Sequence, residues 1–396
     1  MTIHDLSEER GGPHVVDATM FWSATGGGVR RYLQAKHAWL HRHTAWRHTI
    51  AAPIADEPGM ALLPAVALPG SGGYRLPLRR RALAGALRSL EPDVIEAGDP
   101  YRLAWAALDA ADMLHVPTVA FCHSNLERLA ATLAGRRWGS AAARAARRYA
   151  RRLYRQFDLV LAPSEAMRQH LLDWGVDQVA CQPLGVDTQV FHPARASTMW
   201  RNQLALPRAT RLLIYAGRFA PEKRLDVLAQ AVQRLGAPYM LLAIGAGPTP
   251  PQGDRVIVLP HLSEPMALAR ALASADAFVH AGDQETFGLS VLEAMACGTP
   301  VVVRAAEGLA ELVDDSVGVA VQGDGADAFA EAISRLFRHG HDRAAESRHA
   351  RERAESYDWN QMLPLLLMHY RQLLHDGTHR VGGTTSSRPR AASLPQ

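Results

Sequence analysis

Long uninterrupted apolar runs are missing from this 396-residue chain, so none of its segments reads as a membrane span. Cysteine is scarce. Cys122, Cys181 and Cys297 are widely separated, odd in number and in no metal-ligand spacing, which excludes a disulfide framework or a zinc module and leaves three small buried hydrophobes. The first fourteen residues, MTIHDLSEERGGPH, are polar and acidic and contain no apolar stretch of signal-peptide type, so a cytoplasmic location in a reducing compartment is expected. No Asp-x-Asp stands at a strand end, where it would hold a divalent ion against a diphosphate; neither a metal nor a cofactor is expected.

What is present is a globular composition, 48% hydrophobic and 21% charged, in a chain long enough for two domains with separate cores. The net charge of +4 lies wholly within residues 1–190, and the rest of the chain is balanced. The excess is concentrated in RRWGSAAARAARRYARRLYRQF, where Arg136, Arg137, Arg144, Arg147, Arg148, Arg151, Arg152 and Arg155 have no acidic residue among them. An alanine-rich helix with arginines three and four apart, interleaved with Trp138, Tyr149, Leu153 and Tyr154, suits peripheral contact with an anionic membrane at the inner face of the cell membrane. It equally suits a solvated helix whose arginines pair with acids elsewhere in the fold. Arg79-Arg80-Arg81 is a second basic cluster. No nucleic-acid module accompanies the charge, and no nucleic-acid partner is expected.

Apolar runs alternate with helical patterns from end to end, the signature of parallel sheets covered by helices. The first half gives strands over VVDATMFW (15–22), RHTIAAP (47–53), DVIEAG (93–98), TVAFCH (118–123) and LVLAPS (159–164). The second gives RLLIYAG, YMLLAIG, VIVLP, AFVHAG and PVVVRA, alternating with helices such as LDVLAQAVQRL and DAFAEAISRLF. The expected fold class is α/β, with two Rossmann-like doubly wound domains over 1–187 and 188–356 facing each other across a cleft. Trp359 to Leu374 lies in a helix expected to cross back to the first domain within 357–375, and 376–396, rich in Gly, Ser, Thr, Pro and Arg, is expected to be disordered.

Doubly wound sheets place ligands at the carboxyl ends of their strands, and the chemistry-bearing residues gather there. Glu285 and Glu293 stand eight positions apart at the mouth of a helix, a spacing that sets them behind one another along one pocket wall. Thr286 to Ser290 would offer backbone N–H groups to an anion. Carboxylates accept hydroxyls and the amides take phosphate, which suits a nucleotide sugar. Arg218 and Lys223, on the loop after RLLIYAG, can bracket a diphosphate from two sides. Thr25-Gly26-Gly27-Gly28 before the first helix lets the backbone approach a ligand, and the Gly245–Pro248 turn lines the same region. His123 closes TVAFCH, where it can donate to a sugar hydroxyl. Base recognition falls on backbone groups around His261 and Leu262.

GGGVRRY, APSEAMRQHL, PLGVDTQVFHP, YAGRFAPEKRLDVL, IGAGP, ETFGLSVLEAMACGTPVV and YDWNQM occur in the order and spacing of family 4 of the retaining glycosyltransferases, and the chain resembles that family over nearly its whole length. The resemblance implies a GT-B fold, with a GDP- or UDP-linked sugar held mainly by the C-terminal domain and a lipid or saccharide acceptor approaching the N-terminal one. It implies that Arg218 and Lys223 are the diphosphate cations, that Glu293 takes the ribose hydroxyls, and that Glu285 meets the transferred sugar. Donor contacts are further implied for Leu262, Phe287, Gly288, Leu289 and Ser290, with Gly27 and Gly28 facing the diphosphate and His123 near the reacting centre. One departure is RAAEGLAELV, where such proteins more often have a Gly-Gly turn before the position of Glu311. The implied activity is metal-independent transfer of a mannose- or glucose-type hexose with retention by front-face internal return. The alternatives are a nucleotide-sugar 2-epimerase of the same architecture and a non-catalytic glycan-assembly subunit.

Overall fold

The computed structural model of the protein describes residues 11–22, 27–67, 75–76, 79–338 and 342–381, without the side chains of 136 and 377–381. Thr25 and Gly26 of the glycine loop, residues 1–10 of the polar start and residues 382–396 of the tail lie outside the described residues.

The continuous apolar runs become two all-parallel sheets. The first has seven strands in the order β3-β2-β1-β6-β7-β8-β9. They are β1 (His14–Ala18), β2 (Arg47–Ala52), β3 (Met60–Leu62), β6 (Val94–Ala97), β7 (Thr118–Phe121), β8 (Leu159–Ala162) and β9 (Val179–Cys181); β4 (Val66–Ala67) and β5 (Arg75–Leu76) pair separately. The second has six, in the order β12-β11-β10-β13-β14-β15: β10 (Arg211–Ala216), β11 (Tyr239–Ile244), β12 (Val256–Leu259), β13 (Ala277–His280), β14 (Val301–Arg304) and β15 (Gly318–Val321). In each sheet the order reverses beside the first strand, between β1 and β6 and between β10 and β13. Such switch points open crevices at the carboxyl ends of the strands.

Helices cover both sheets: α1 (Gly28–His43), α2 (Arg80–Arg88), α3 (Arg102–Leu114), α4 (Leu126–Tyr154) and α5 (Glu165–Asp173) in the first half. In the second half come α6 (Thr198–Gln203), α7 (Leu225–Leu235), α8 (Pro265–Ala273), α9 (Leu289–Ala296), α10 (Glu307–Leu312), α11 (Ala326–Leu336) and α12 (Arg343–Glu355). The final helix, α13 (Trp359–Val381), packs on α1. It runs past Asp376, where disorder was expected to begin. Gly377 and Thr378 are weak helix formers without being breakers, and the next proline is Pro389.

The cores reflect this wrapping. One cluster holds Leu83, Ile95, Leu103 and Val160 under the first sheet, and another holds Leu213, Leu228, Leu241 and Phe329 under the second. A third is shared: Val15, Tyr32 and Phe121 are continuous with Ile214, Phe278, Phe287 and Leu292, and with Leu363 and Tyr370 of α13. Among the described residues no helix is long and apolar enough to cross a membrane.

Candidate active site

The segment Gln284–Ser290 follows β13 and starts α9. Gly288 is the N-cap, at φ 102°, a left-handed conformation open to glycine and strained for any other residue. A Cβ there would meet Leu309 Cδ2 at 2.4 Å. Because α9 begins at Leu289, Glu285 precedes the helix, and the eight-residue spacing does not stack the two carboxylates on one helical face. They have separate partners. Glu285 forms an ion pair with Lys223, and its carboxylate lies 3.1 Å from His280 Nε2. The Nδ1 of His280 accepts the Gly282 amide at 3.2 Å, which leaves the Nε2 hydrogen to donate to Glu285. Burial works to raise the Glu285 pKa, but Lys223 and His280 outweigh it and hold the carboxyl well below the usual range.

Glu293 is 2% exposed and takes its charge partner from the other domain, the guanidinium of Arg31. Burial raises its pKa and Arg31 opposes the rise. Its Oε2 is buried without a hydrogen-bond partner. Arg30 and Arg31 both lie in the first turn of α1, where the helix dipole disfavours cations unless carboxylates compensate. Arg30 turns to Glu57 at 2.6 Å and lies 4.7 Å from the Trp22 ring centroid; Arg31 crosses to Glu293. That misfit between charge and dipole is the signal that marks Arg31, which the sequence reading placed in the glycine motif without a role.

The two domains meet around this segment. A Cβ on Gly28 would lie 3.5 Å from Leu289 Cδ2, whereas one on Gly27 would project into open space. Thr286 Oγ1 donates to the His123 carbonyl at 3.0 Å. The His123 ring stacks on Phe121 with centroids 4.3 Å apart, and its Nε2 is buried without a partner. Burial pushes its pKa down to about 4, so the ring is neutral near neutral pH. Glu307, at φ 45°, makes the turn of RAAEGL without the second glycine and reaches Asn125 Nδ2 and Arg128 Nε, each at 3.0 Å. Glu311 accepts the Glu165 and Ala166 amides at the start of α5.

The remaining expected residues divide. Lys223 is in the group. Arg218 is not: its side chain is 66% exposed, with Glu222 3.4 Å away, so the two cations do not bracket one point. A loop side chain at the surface has no packing to fix it. Phe287 turns its ring into the core, edge-on to Tyr357 at 5.9 Å, leaving its backbone for any ligand. Leu262 packs against the shared core, and His261 is half-buried, its pKa lowered by burial and by Arg31. The Gly245–Pro248 turn has a packing role: a Cβ on Gly247 would sit 2.2 Å from the Phe219 carbonyl, so the turn supports the Arg218 loop. His280, Asn125 and Arg128 carried no assigned role in the sequence reading: Asn125 and Arg128 meet Glu307, far along the chain, whereas His280 meets the nearby Glu285 only once the turn after β13 is formed.

Comparison with known proteins bears on this architecture. Residues 12–190 match the family described as Glycosyltransferase Family 4, and residues 210–339 match Glycosyl transferases group 1. The chain is 34% identical over 321 residues to the GDP-mannose-dependent alpha-(1-6)-phosphatidylinositol dimannoside mannosyltransferase of Mycobacterium tuberculosis, covering 77% of this chain and 80% of that protein. It is 32% identical over 268 residues to a GDP-mannose-dependent alpha-mannosyltransferase of Mycolicibacterium smegmatis, covering 66% of this chain and 68% of that protein. Among solved structures, sucrose-phosphate synthase from Thermosynechococcus elongatus superposes with a TM-score of 0.75 at 22% identity, over 92% of this chain and all of that one. Anabaena HepE in complex with UDP and glucose superposes with a TM-score of 0.73 at 18% identity, over 90% of this chain and 99% of that one. With two doubly wound domains meeting at the start of α9, the chain belongs to glycosyltransferase family 4, a glycosyltransferase of GT-B fold.

Proposed function

We propose that the enzyme transfers a mannosyl residue from GDP-mannose to a hydroxyl of a lipid-linked glycan, with retention of anomeric configuration and without a metal ion. The observation that carries this reading is the layer around α9: across the domains the Gly28 backbone lies against Leu289 and Arg31 pairs with Glu293, and within the C-terminal domain Lys223 pairs with Glu285. The names of the mannosyltransferases reported above support the donor and the lipid acceptor.

The diphosphate lies between the Gly27–Gly28 backbone and the free amides of Gly288 to Ser290, where the α9 dipole favours negative charge. Ribose hydroxyls donate to Glu293, and hydroxyls of the transferred sugar to Glu285. Leu262 and its neighbours flank the base. The bond from the anomeric carbon to the diphosphate oxygen breaks, and the acceptor oxygen bonds that carbon from the same face. The acceptor's proton passes to the departing phosphate oxygen. Lys223 and the amides stabilise the charge that grows on the leaving GDP, an interaction strongest in the transition state, and Arg218 joins them from the solvent side. His123, neutral through burial, hydrogen-bonds the sugar without adding charge.

A thermal-shift panel of nucleotide sugars tests the donor, since a ligand bound by the native state raises the melting temperature in proportion to RT ln(1 + [L]/Kd). GDP-mannose is expected to stabilise most. Stabilisation by UDP-glucose alone, or a β-configured product from GDP-mannose by NMR, overturns the reading.

A further inference from the structure

His280 closes β13, whose neighbours in the sheet are β10 and β14, so its side chain stands at the carboxyl end of a central strand, beside the point where the strand order reverses. It is 2% exposed. A buried imidazole needs partners for both ring nitrogens, and the turn that follows supplies them. Nδ1 accepts the Gly282 amide at 3.2 Å, and Nε2 lies 3.1 Å from Glu285 Oε1. The ring is also held from its sides. A Cβ on Gly282 would stand 2.7 Å from His280 Cε1, so glycine at that position lets the turn fold over the ring, and the Tyr215 ring packs against it with centroids 5.6 Å apart. The Tyr215 hydroxyl donates to the Arg218 carbonyl at 2.9 Å, which joins the histidine to the base of the loop that carries Lys223.

Lys223 Nζ donates to Oε1 of Glu285 as well. Two donors thus share one carboxylate oxygen, and Oε2 has no hydrogen-bond partner among the described residues. The donors differ in what holds them. Lys223 ends the short turn Pro221–Lys223 and carries its charge on a flexible four-carbon stem, whereas His280 belongs to a strand and is packed on every side. A diphosphate has more negative charge and more acceptor oxygens than one carboxylate, so it competes well for the ammonium. The lysine can follow it; the histidine cannot.

We propose that His280 is a positioning residue of the donor site: it keeps hold of Glu285 Oε1 after Lys223 has passed to the diphosphate, so that Oε2 stays aimed at the hydroxyls of the transferred sugar. The inference rests on the transferase reading above and divides the work between the two partners of Glu285. Lys223 reads the diphosphate, and His280 reads the sugar through Glu285. A glutamate has several side-chain torsions to order, and a fixed donor on one oxygen orders them before the sugar arrives.

The test uses the full chain and compares GDP with GDP-mannose by calorimetry. Asn places its amide at the level of Nδ1 and Gln at the level of Nε2, so the two substitutions separate the two hydrogen bonds of the ring. His280→Asn keeps an acceptor for the Gly282 amide and loses the donor to Glu285, while His280→Gln keeps that donor. In His280→Asn the GDP affinity is expected to stay within about twofold of the wild type and the GDP-mannose affinity to fall about tenfold, the scale of one hydrogen bond to a charged group. His280→Gln is expected to recover most of the loss. Lys223→Ala is expected to weaken both probes by a similar factor, because the diphosphate is common to them. The positioning role is overturned if His280→Asn weakens GDP and GDP-mannose alike, the mark of a turn that has lost its shape, or if the Asn and Gln variants bind GDP-mannose equally. A loss confined to GDP-mannose in Lys223→Ala would show that the lysine stays on Glu285 and would overturn the division of labour, however well His280→Asn folds. A wild type that binds UDP-glucose and not GDP-mannose sinks the donor reading instead, and the same comparison with UDP and UDP-glucose then decides the role of His280.

Discussion

Of the 43 basic residues of the chain, two are lysines, and both sit among carboxylates. Lys36 meets Asp17 and Glu96, and Lys223 meets Glu285. Lys223 with Glu285, and Arg31 with Glu293, are each neutral as pairs, so a diphosphate must redistribute these partners. If ribose hydroxyls take Glu293, Arg31 is released toward the phosphates. Burial raises the Glu293 pKa, and Arg31 is what opposes it. In Arg31→Ala that opposition goes and the pKa rises further. In the proposed ribose role the carboxylate accepts hydroxyls when ionised, so GDP affinity is expected to be lost as pH falls through this pKa. The loss in the variant is therefore expected to set in at higher pH than in the wild type, with affinity at pH 8 reduced about tenfold, near 1.4 kcal/mol. Calorimetry from pH 5 to 8 checks it, and parallel pH profiles for the two proteins would exclude the exchange of partners. Glu293 was legible from sequence because its helix motif is local. Arg31 was not assigned because its partner is 262 residues away, a pairing that only the packed domains create.

At the scale of elements, the site depends on how α9 begins. Gly288 combines a positive φ with a wall of Leu309, so Gly288→Ala pairs backbone strain with overpacking. A destabilisation of about 2–3 kcal/mol is expected, with weaker GDP binding because the free amides shift. Denaturant unfolding with calorimetry reads both, and a variant unchanged in both would mean that the cap is not fixed by this glycine. The ETFGLS motif carried this turn openly. The central strands were equally legible, because parallel strands buried on both faces are continuous apolar runs. Strands β3, β9 and β15, each of three or four residues at a sheet edge, were not. The bend of α4 at Gly135, φ 67°, was likewise hidden inside an alanine-rich helical pattern. Repeating apolar runs were enough for the two doubly wound sheets; the arginines of α4, being solvent-facing, had no such pattern to say which charges they would meet.

For the molecule as a whole, the last helix returns to the first domain and enters its most polar buried cluster. The hydroxyl of Tyr370 on α13 accepts from Lys36 Nζ at 2.6 Å and donates to Glu96, while Tyr32 donates to the other oxygen of Glu96 at 2.9 Å. Burial raises the Glu96 pKa, and Lys36 and the Tyr370 hydroxyl work against the rise. Tyr370→Phe keeps the ring, which packs in the shared core, and removes one donor from a buried carboxylate. The cost is expected at about 1–3 kcal/mol, a fall of roughly 2–6 °C in melting temperature. The sign of its pH dependence follows from the direction of the shift. A carboxyl whose folded pKa is raised is penalised in its ionised form, and losing the Tyr370 donor raises that pKa again. The added penalty is present in full above the variant's pKa and fades as pH falls through it. The gap in melting temperature between wild type and variant should therefore narrow between pH 8 and pH 5. Calorimetric scans at both pH values decide the matter: a gap that stays constant or widens toward pH 5 would mean that Glu96 is not the group through which Tyr370 anchors the helix.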